Sequence, residues 1–217
     1  MQKPDFLLES DVRDQLSTDP LIDDTRIQVS AKDGTVTLRG TVPALYDSVR
    51  ATEDVGRVSG VRSVQNELLV GLVGEAIADA DIASACAGAL DADRFVPKGA
   101  VTVEVDNGWV TLNGHVQHHY QRMAAEHAVR GVKGIRGTTD KVQINGDPMP
   151  TDVVDRINKA LTRSALIDGA NIEVSNSGHT IFLDGTTTTW TARVEAEDVA
   201  WDAPGVQEVV DRITVMP

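Results

Sequence analysis

Residues 34–40 read GTVTLRG, and the pattern returns as GWVTLNG at 108–114 and as HTIFLDG at 179–185. Apolar and polar residues alternate in each stretch, and a glycine ends it, which is typical of a half-buried strand that bends at its end. A turn signal precedes each stretch: Lys32-Asp33-Gly34, Asp106-Asn107-Gly108 and Asn176-Ser177-Gly178. Because such pairs supply the positive φ of tight turns, we expect three β-hairpins. The third turn has its glycine one residue earlier, so its type should differ.

The pattern continues downstream at fixed spacing in all three copies. A second glycine follows the first by twenty residues, and an Asn or Asp follows six residues later. These positions are Gly40, Gly60, Asn66; Gly114, Gly134, Asp140; and Gly185, Gly205, Asp211. The period is about seventy residues, longer than that of solenoid repeats, so each copy is predicted to be a small domain. Domains of this size barely bury an adequate core, so we expect the copies to contact one another.

The spacing of apolar residues predicts the remaining elements of each copy. A first helix is indicated by apolar residues four apart: Leu8, Val12, Leu16; Ile82, Cys86, Leu90; and Val153, Ile157, Leu161. Asp79 or Asp81 should cap this helix in the second copy, and Thr151 or Asp152 in the third. In the third copy the helix should stop before Asp168-Gly169. A second helix is expected at about 44–58, 118–132 and 189–203, and a last strand at 64–70, 138–144 and 209–215.

These elements predict an α+β fold of three tandem domains, each α-β-β-α-β. A right-handed β-α-β crossover makes the third strand parallel to the second, so two helices should pack on one face of a three-stranded mixed sheet. The expected domains are 5–71, 77–145 and 150–217, with linkers at 71–74 and 145–150. The position of Asn66, Asp140 and Asp211 is in step with inward-facing residues. We interpret its side chain as a structural acceptor for backbone N–H groups at a neighbouring turn.

Composition narrows the class of protein. The chain has 217 residues, 41% of them apolar, and a net charge of -13. The electric field of this negative net charge repels nucleic acid and anionic membrane surfaces. No stretch is long and apolar enough to span a membrane, and the N-terminus lacks an apolar signal region, so the chain as given is expected to be cytoplasmic, or periplasmic if a signal peptide was removed. The single cysteine, Cys86, excludes an internal disulfide and is interpreted as a buried core residue.

The three hairpin stretches, the spaced Gly-Val or Gly-Ile pairs and the Asn or Asp before the last strand resemble the BON domain of bacterial osmotically inducible and nodulation proteins. The three copies together cover nearly the whole chain. The resemblance implies an α-β-β-α-β fold, no known catalytic residues, a bacterial source, and attachment to phospholipid or envelope components, often under osmotic stress.

Four features are candidates for binding. His115, His118 and His119 invite a metal site, but no carboxylate or cysteine completes a ligand set, so we expect surface histidines and no metal. The stretches 131–134 and 134–137 resemble the GXXG loop that clamps nucleic acid, but Gly134 is also explained as a helix-ending glycine near C′. Trp190 and Trp201 share a helix face and should anchor a contact between domains, or a partner or membrane surface. Basic residues form an exposed stripe that could contact anionic headgroups: Arg156, Lys159 and Arg163.

No nucleophile or acid–base constellation recurs or is locally assembled, so an enzyme is the least favoured class and no cofactor is expected. The sequence favours a non-enzymatic binding or scaffold protein, linked to stress through the family resemblance, with a protein or envelope component as partner. The alternative is a phospholipid- or envelope-surface binder acting through the third copy. Nucleic-acid binding is disfavoured.

Overall fold

The computed structural model describes residues 3–71, 77–146, 148–167 and 171–216. The expected helices and strands occur three times in the same order. Repeat 1 (residues 5–71) contains α1 (Asp5–Thr18), β1 (Ile27–Lys32), β2 (Thr35–Val42), α2 (Leu45–Gly56) and β3 (Ser63–Val70). Repeat 2 (77–145) contains α3 (Asp79–Ala92), β4 (Val101–Asp106), β5 (Trp109–Val116), α4 (His119–Arg130) and β6 (Gly137–Ile144). Repeat 3 (150–217) contains α5 (Val153–Arg163), β7 (Asn171–Ser177), β8 (Thr180–Thr187), α6 (Trp190–Trp201) and β9 (Glu208–Val215).

Each repeat builds its own three-stranded sheet, with the second strand in the middle. The first strand pairs antiparallel with the middle strand, and the third pairs parallel with it, as in Val36 opposite Ala31 and Val64. The α+β class and the mixed sheet are therefore confirmed in all three repeats. The first helix of repeat 3 ends at Arg163, before Asp168-Gly169 as expected. Asp168 and Gly169 themselves, like parts of the two predicted linkers, lie outside the described residues.

The first and second helices of each repeat cover one face of the sheet and close a separate core. The predicted stripe residues of α1, α3 and α5 are buried, including Leu8, Ile82 and Ile157 at 1% exposure or less. The second helices contribute small residues to these cores, such as Ala125 and Val129 in repeat 2. Cys86 is fully buried in the repeat 2 core, and this burial raises the pKa of its thiol. The cysteine is thus a core residue, as the sequence indicated.

Two helices start where the sequence marks them, at Asp79 and after Asp152, but neither carboxylate caps its helix. Asp79 is the first residue of α3 and not its cap: its carboxylate accepts hydrogen bonds from the backbone N–H groups of Asn107 and Gly108, both at 2.8 Å, and so ties the helix to the hairpin turn. Asp152 occupies the N-cap position of α5, but its side chain makes no cap hydrogen bond. It pairs with Arg156 instead.

The hairpin turns follow the glycine positions. Asp33 and Gly34, and likewise Asn107 and Gly108, all have positive φ, as a type I′ turn requires. In the third turn, between Ser177 and Thr180, only Gly178 has positive φ, which is typical of type II′. The shifted glycine in the sequence therefore corresponds to a change of turn type.

The second helices of the three repeats contact one another in a ring. Trp190, at the start of α6, lies against Gly56 at the end of α2, and the Thr191 hydroxyl donates to the Gly56 carbonyl at 3.2 Å. His119, at the start of α4, stacks on Trp201 at the end of α6, with ring centroids 4.2 Å apart. Leu45, at the start of α2, packs on the core of repeat 2. Each repeat therefore contacts both others, and α2 and α6 each take part in two of these contacts.

Candidate functional site

The contact between repeats 2 and 3 is built on Trp201. The rings of His119 and Trp201 lie 11° from parallel, and the Arg122 guanidinium lies 5.7 Å from the Trp201 ring centroid. Burial lowers the pKa of His119 to about 4, and the neighbouring charge of Arg122 acts in the same direction. His119 is therefore a neutral packing residue at the start of a helix, and not the surface loop histidine that the sequence indicated.

Beside this contact lies an open groove of about 740 Å³ between α4 and α6. Its apolar side is formed by α4 and by the segment that follows α3, with exposed rings at Phe95 and Tyr120. These two rings meet edge to face, with centroids 6.2 Å apart. Three carboxylates line the groove: Asp93 from repeat 2, and Asp198 and Asp202 from repeat 3. We call this feature the acidic groove.

The Asn/Asp position of the repeat signature joins the last strand to the second helix. Asp140 and Asp211 each accept a hydrogen bond from the backbone N–H two residues on, at 2.8 and 2.7 Å. Their other oxygens pair with Arg122 of α4 and Arg193 of α6. In repeat 1 Asn66 accepts from the Leu68 N–H, and its amide donates to the Ser48 hydroxyl and carbonyl. The residue does satisfy a backbone N–H, but one of its own strand and not of a neighbouring turn.

Sequence reasoning missed the helix partner of this position. The partner stands 18 residues upstream in all three repeats: Ser48, Arg122 and Arg193. A serine accompanies asparagine, and an arginine accompanies each aspartate. This matched change at constant spacing is the signal from which the pair could have been found.

Glycine is required at the signature positions for two different structural reasons. At Gly40, Gly114 and Gly185, φ lies between +132° and +147°, and a Cβ atom would lie 2.0 Å from a carbonyl oxygen of the preceding strand region. Gly134 has a φ of +95°, and a Cβ there would lie 2.8 Å from the Ile82 side chain. It is not near C′, because α4 ends at Arg130 and Gly131 caps it. Gly60 and Gly205 also have positive φ and lie beyond their helix ends.

Two of the three glycines in the stretches that resemble a GXXG loop pack against side chains, whereas Gly131 lies in open space. Gly134 faces Ile82, and the ring of Trp109 lies where a Cβ of Gly137 would be. Gly134 and Gly137 thus allow close packing within repeat 2. Among residues 3–71, 77–146, 148–167 and 171–216, no group of three or more His, Cys, Asp or Glu side chains could hold a metal ion.

The remaining candidates lie on repeat 3. Trp190 and Trp201 contact repeats 1 and 2 respectively, as described above. Arg156, Lys159 and Arg163 lie exposed on α5, but Arg156 pairs with Asp152 at 2.9 Å, and Asp155 lies beside Lys159 and Arg163 in a shallow depression. The stripe is therefore less basic than its sequence indicates. Within the described part of the chain, no helix has the length and apolar character needed to cross a membrane.

This chain is similar to one hemolysin in sequence and is matched to two solved structures in fold comparison. The 21 kDa hemolysin of Actinobacillus pleuropneumoniae is 34% identical over 148 residues, which cover 65% of this chain and 76% of that protein. Among solved structures, CdsD, a structural protein of the Type III secretion system of Chlamydia trachomatis, is 16% identical, with 96% of this chain and 91% of that chain covered and a TM-score of 0.27. The PrgH periplasmic domain is 9% identical, with 89% and 96% covered and a TM-score of 0.25. TM-scores this low carry no argument about this chain.

The family comparison covers more of the chain. The model of the BON domain matches residues 4–71, 78–146 and 151–217. These three segments carry the three α-β-β-α-β units and all nine signature positions. The chain therefore belongs to the BON domain family and consists of three tandem copies of that domain.

Proposed function

We propose that this protein is a non-enzymatic binding or scaffold protein of the bacterial stress response, which holds a partner protein or envelope component in the acidic groove. The observation that supports this most is the groove itself, where Phe95 and Tyr120 are about half exposed beside three carboxylates. Exposed aromatic rings grouped with charged groups are typical of binding surfaces. The family resemblance supports the link to osmotic or general stress.

The lining of the groove supports binding more than catalysis, even though His127 and three carboxylates line it beside His119. Its lining contains no serine, threonine, cysteine or lysine that could act as a nucleophile. His119 stacks on Trp201 and stays neutral, and its Nδ1 has no hydrogen-bond partner among the described residues. A general base must reach both a proton donor and a substrate, so this histidine is unsuited to that role.

A photo-crosslinking amino acid at Met123, which lines the groove, tests this function in living cells of the source bacterium. We expect a discrete cross-linked product that increases at raised osmolarity. The matched control places the same amino acid at Leu69, which is 68% exposed on the sheet of repeat 1, far in sequence from the groove. Equal products from both positions, or none from Met123 under any condition, would contradict the proposal.

A second candidate is a role at a phospholipid surface. Lys159 and Arg163 are exposed on α5 and could contact anionic headgroups. The name of the hemolysin relative also supports a role at a membrane surface. Each basic residue near an anionic surface contributes about 1 kcal/mol, so two residues give binding weaker than millimolar. We therefore expect no flotation with anionic liposomes in near-physiological salt. Salt-resistant flotation would favour this candidate over the first.

A further inference from the structure

Repeat 1 holds an arginine side chain in a small socket. Arg50 of α2 pairs through Nε with the Asp19 carboxylate and donates through Nη1 to the Tyr46 hydroxyl at 3.0 Å. Asp19 lies directly after α1, and its other oxygen accepts from the Leu21 backbone N–H at 2.9 Å. The guanidinium thus bridges a carboxylate and a phenol, and the carboxylate is itself held in place by the backbone.

Repeat 2 keeps both holders of this socket but lacks the arginine. Asp93 lies directly after α3, and its Oδ1 accepts from the Phe95 backbone N–H at 2.7 Å, as Asp19 does from Leu21. Tyr120 is the second residue of α4, as Tyr46 is of α2. The position of Arg50 is taken by Ala124, whose short side chain leaves the acidic groove open at this point. In the described part of the chain, no lysine, arginine or histidine forms an ion pair with Asp93.

Repeat 3 has lost the socket. Ser164, Thr191 and Glu195 stand at the three positions, and the Ser164 hydroxyl donates to Glu195 at 3.0 Å. The three repeats therefore present one filled socket, one open socket and one that is replaced. The open socket is the one that lies in the groove between two repeats.

The surroundings of the open socket also favour a cation. Asp198 of α6 and Asp202, which directly follows α6, also line the groove, so an incoming positive charge meets carboxylates from two repeats. Arg94 shows that the Phe95 ring accepts a guanidinium, because its Cζ lies 4.4 Å from the ring centroid. A guanidinium is planar and donates in several directions, so it can bridge Asp93 and Tyr120 at once, which a lysine ammonium does less well.

We propose that the acidic groove binds an arginine side chain of a partner protein, with the guanidinium between Asp93 and Tyr120 in the place that Arg50 fills in repeat 1. This inference rests on the proposed binding function and names the chemistry of its partner. The bound segment carries positive charge, because the groove presents three carboxylates to it. Exposed rings at Phe95 and Tyr120 contact the aliphatic part of the arginine.

The experiment titrates the full chain with N-acetyl-arginine amide and follows backbone amide signals by NMR. We expect saturable shifts around Asp93, Phe95 and Tyr120, with at least a fivefold weaker response to N-acetyl-lysine amide. Asp93→Asn keeps the oxygen that holds the Phe95 N–H but removes the charge, and it should weaken binding at least tenfold. The matched control is Asp91→Asn, which makes the same change in net charge at an exposed neighbour outside the groove and should alter binding less than twofold.

In a second variant, Ala124→Arg, the chain's own arginine should fill the open socket, because this change rebuilds the socket of repeat 1. We expect this variant to fold, to lose the response to N-acetyl-arginine amide, and to label more slowly at Cys86, the buried thiol of repeat 2. Equal binding of the lysine compound, full binding by Asp93→Asn, or full binding by Ala124→Arg would overturn the assignment. Self-association that Ala124→Arg abolishes would identify a second copy as the occupant, and would also overturn it.

The outcomes separate this inference from the proposed function. A cellular cross-link from Met123 that persists in the Ala124→Arg protein would leave the binding function intact and refute the assignment of an arginine side chain to the groove. Arginine-specific binding in solution without any cellular cross-link would support the socket and contradict the wider function.

Discussion

The pairing of the Asn/Asp position with the second helix is here called the strand–helix clamp, and removal of the Asp140 side chain tests it most directly. Asp140→Ala removes the acceptor of the Val142 N–H, at 2.8 Å, and the carboxylate partner of Arg122. Hydrogen bonds to a charged group contribute about 1.5–3 kcal/mol each. The two side chains are 15% and 29% exposed, so solvent screening weakens the ion pair. We therefore expect the free energy of opening repeat 2 to fall by roughly 2–3 kcal/mol.

Cys86 offers an assay specific to repeat 2. It is the only cysteine of the chain and is fully buried in that core, so a thiol reagent reaches it only when repeat 2 opens. Under native conditions the labelling rate follows the opening equilibrium, and about 1.4 kcal/mol corresponds to a tenfold change. Asp140→Ala should thus accelerate labelling roughly 30- to 150-fold.

The matched control is Asp211→Ala, the same change in repeat 3. It removes an equivalent clamp to Arg193 but leaves the repeat 2 core intact, so labelling of Cys86 should change less than about threefold. Acceleration below threefold in Asp140→Ala would show that the clamp contributes little. Equal acceleration in both variants would show that the repeats open as one unit.

Three further changes have definite expected outcomes. Gly114→Ala places a Cβ 2.0 Å from the Ala100 carbonyl oxygen and should lower the free energy of unfolding by at least about 2 kcal/mol, as measured by chemical denaturation. The control, Gly131→Ala, changes a residue with negative φ in open space and should lower it by less than about 0.5 kcal/mol. Burial and the neighbouring carboxylate of Asp19 raise the pKa of Asp54, so the native state keeps this proton at pH values where the unfolded state loses it. Stability therefore falls as pH rises through that window. Asp54→Asn should remove this fall, measured as the pH dependence of hydrogen exchange in α2, and an unchanged profile would contradict the assignment. Trp201→Ala should expose His119 and raise its pKa from about 4 towards about 6.5, which NMR titration would detect; an unchanged pKa would show that repeat 3 does not cover the ring in solution.

The fold was predictable because its signals are local. The hairpin turn at Asp33-Gly34 and the four-residue spacing of Leu8, Val12 and Leu16 each depend on neighbours in the chain, and three copies removed the ambiguity of any one. The need for glycine at positions 60 and 134 could not be predicted, because it arises from contacts with residues distant in sequence. These glycines redirect the chain after the helix, so that Val61 and Ile135 enter the core, and they allow close approach to the first helix.

The site was less predictable because it depends on contacts distant in sequence. The pairing of Asp140 with Arg122 joins a strand to a helix, and apolar periodicity carries no information about it. The acidic groove requires repeats 2 and 3 to be placed side by side. One trace of it does exist in the sequence: Asp93 and Tyr120 repeat Asp19 and Tyr46, while Ala124 replaces Arg50.

The ring of second helices has a consequence for how the binding surface diversifies. Three identical subunits in a ring would repeat every residue three times, so a socket would be open in all of them or in none. Here the subunits are fused in one chain, and each can change alone. Repeat 1 can satisfy Asp19 with its own arginine, repeat 3 can replace the site by a serine and a glutamate, and repeat 2 can leave Asp93 open to a partner. Because the three repeats are fused in one chain, the threefold arrangement carries a single open socket. The stoichiometry is therefore one guanidinium for each chain.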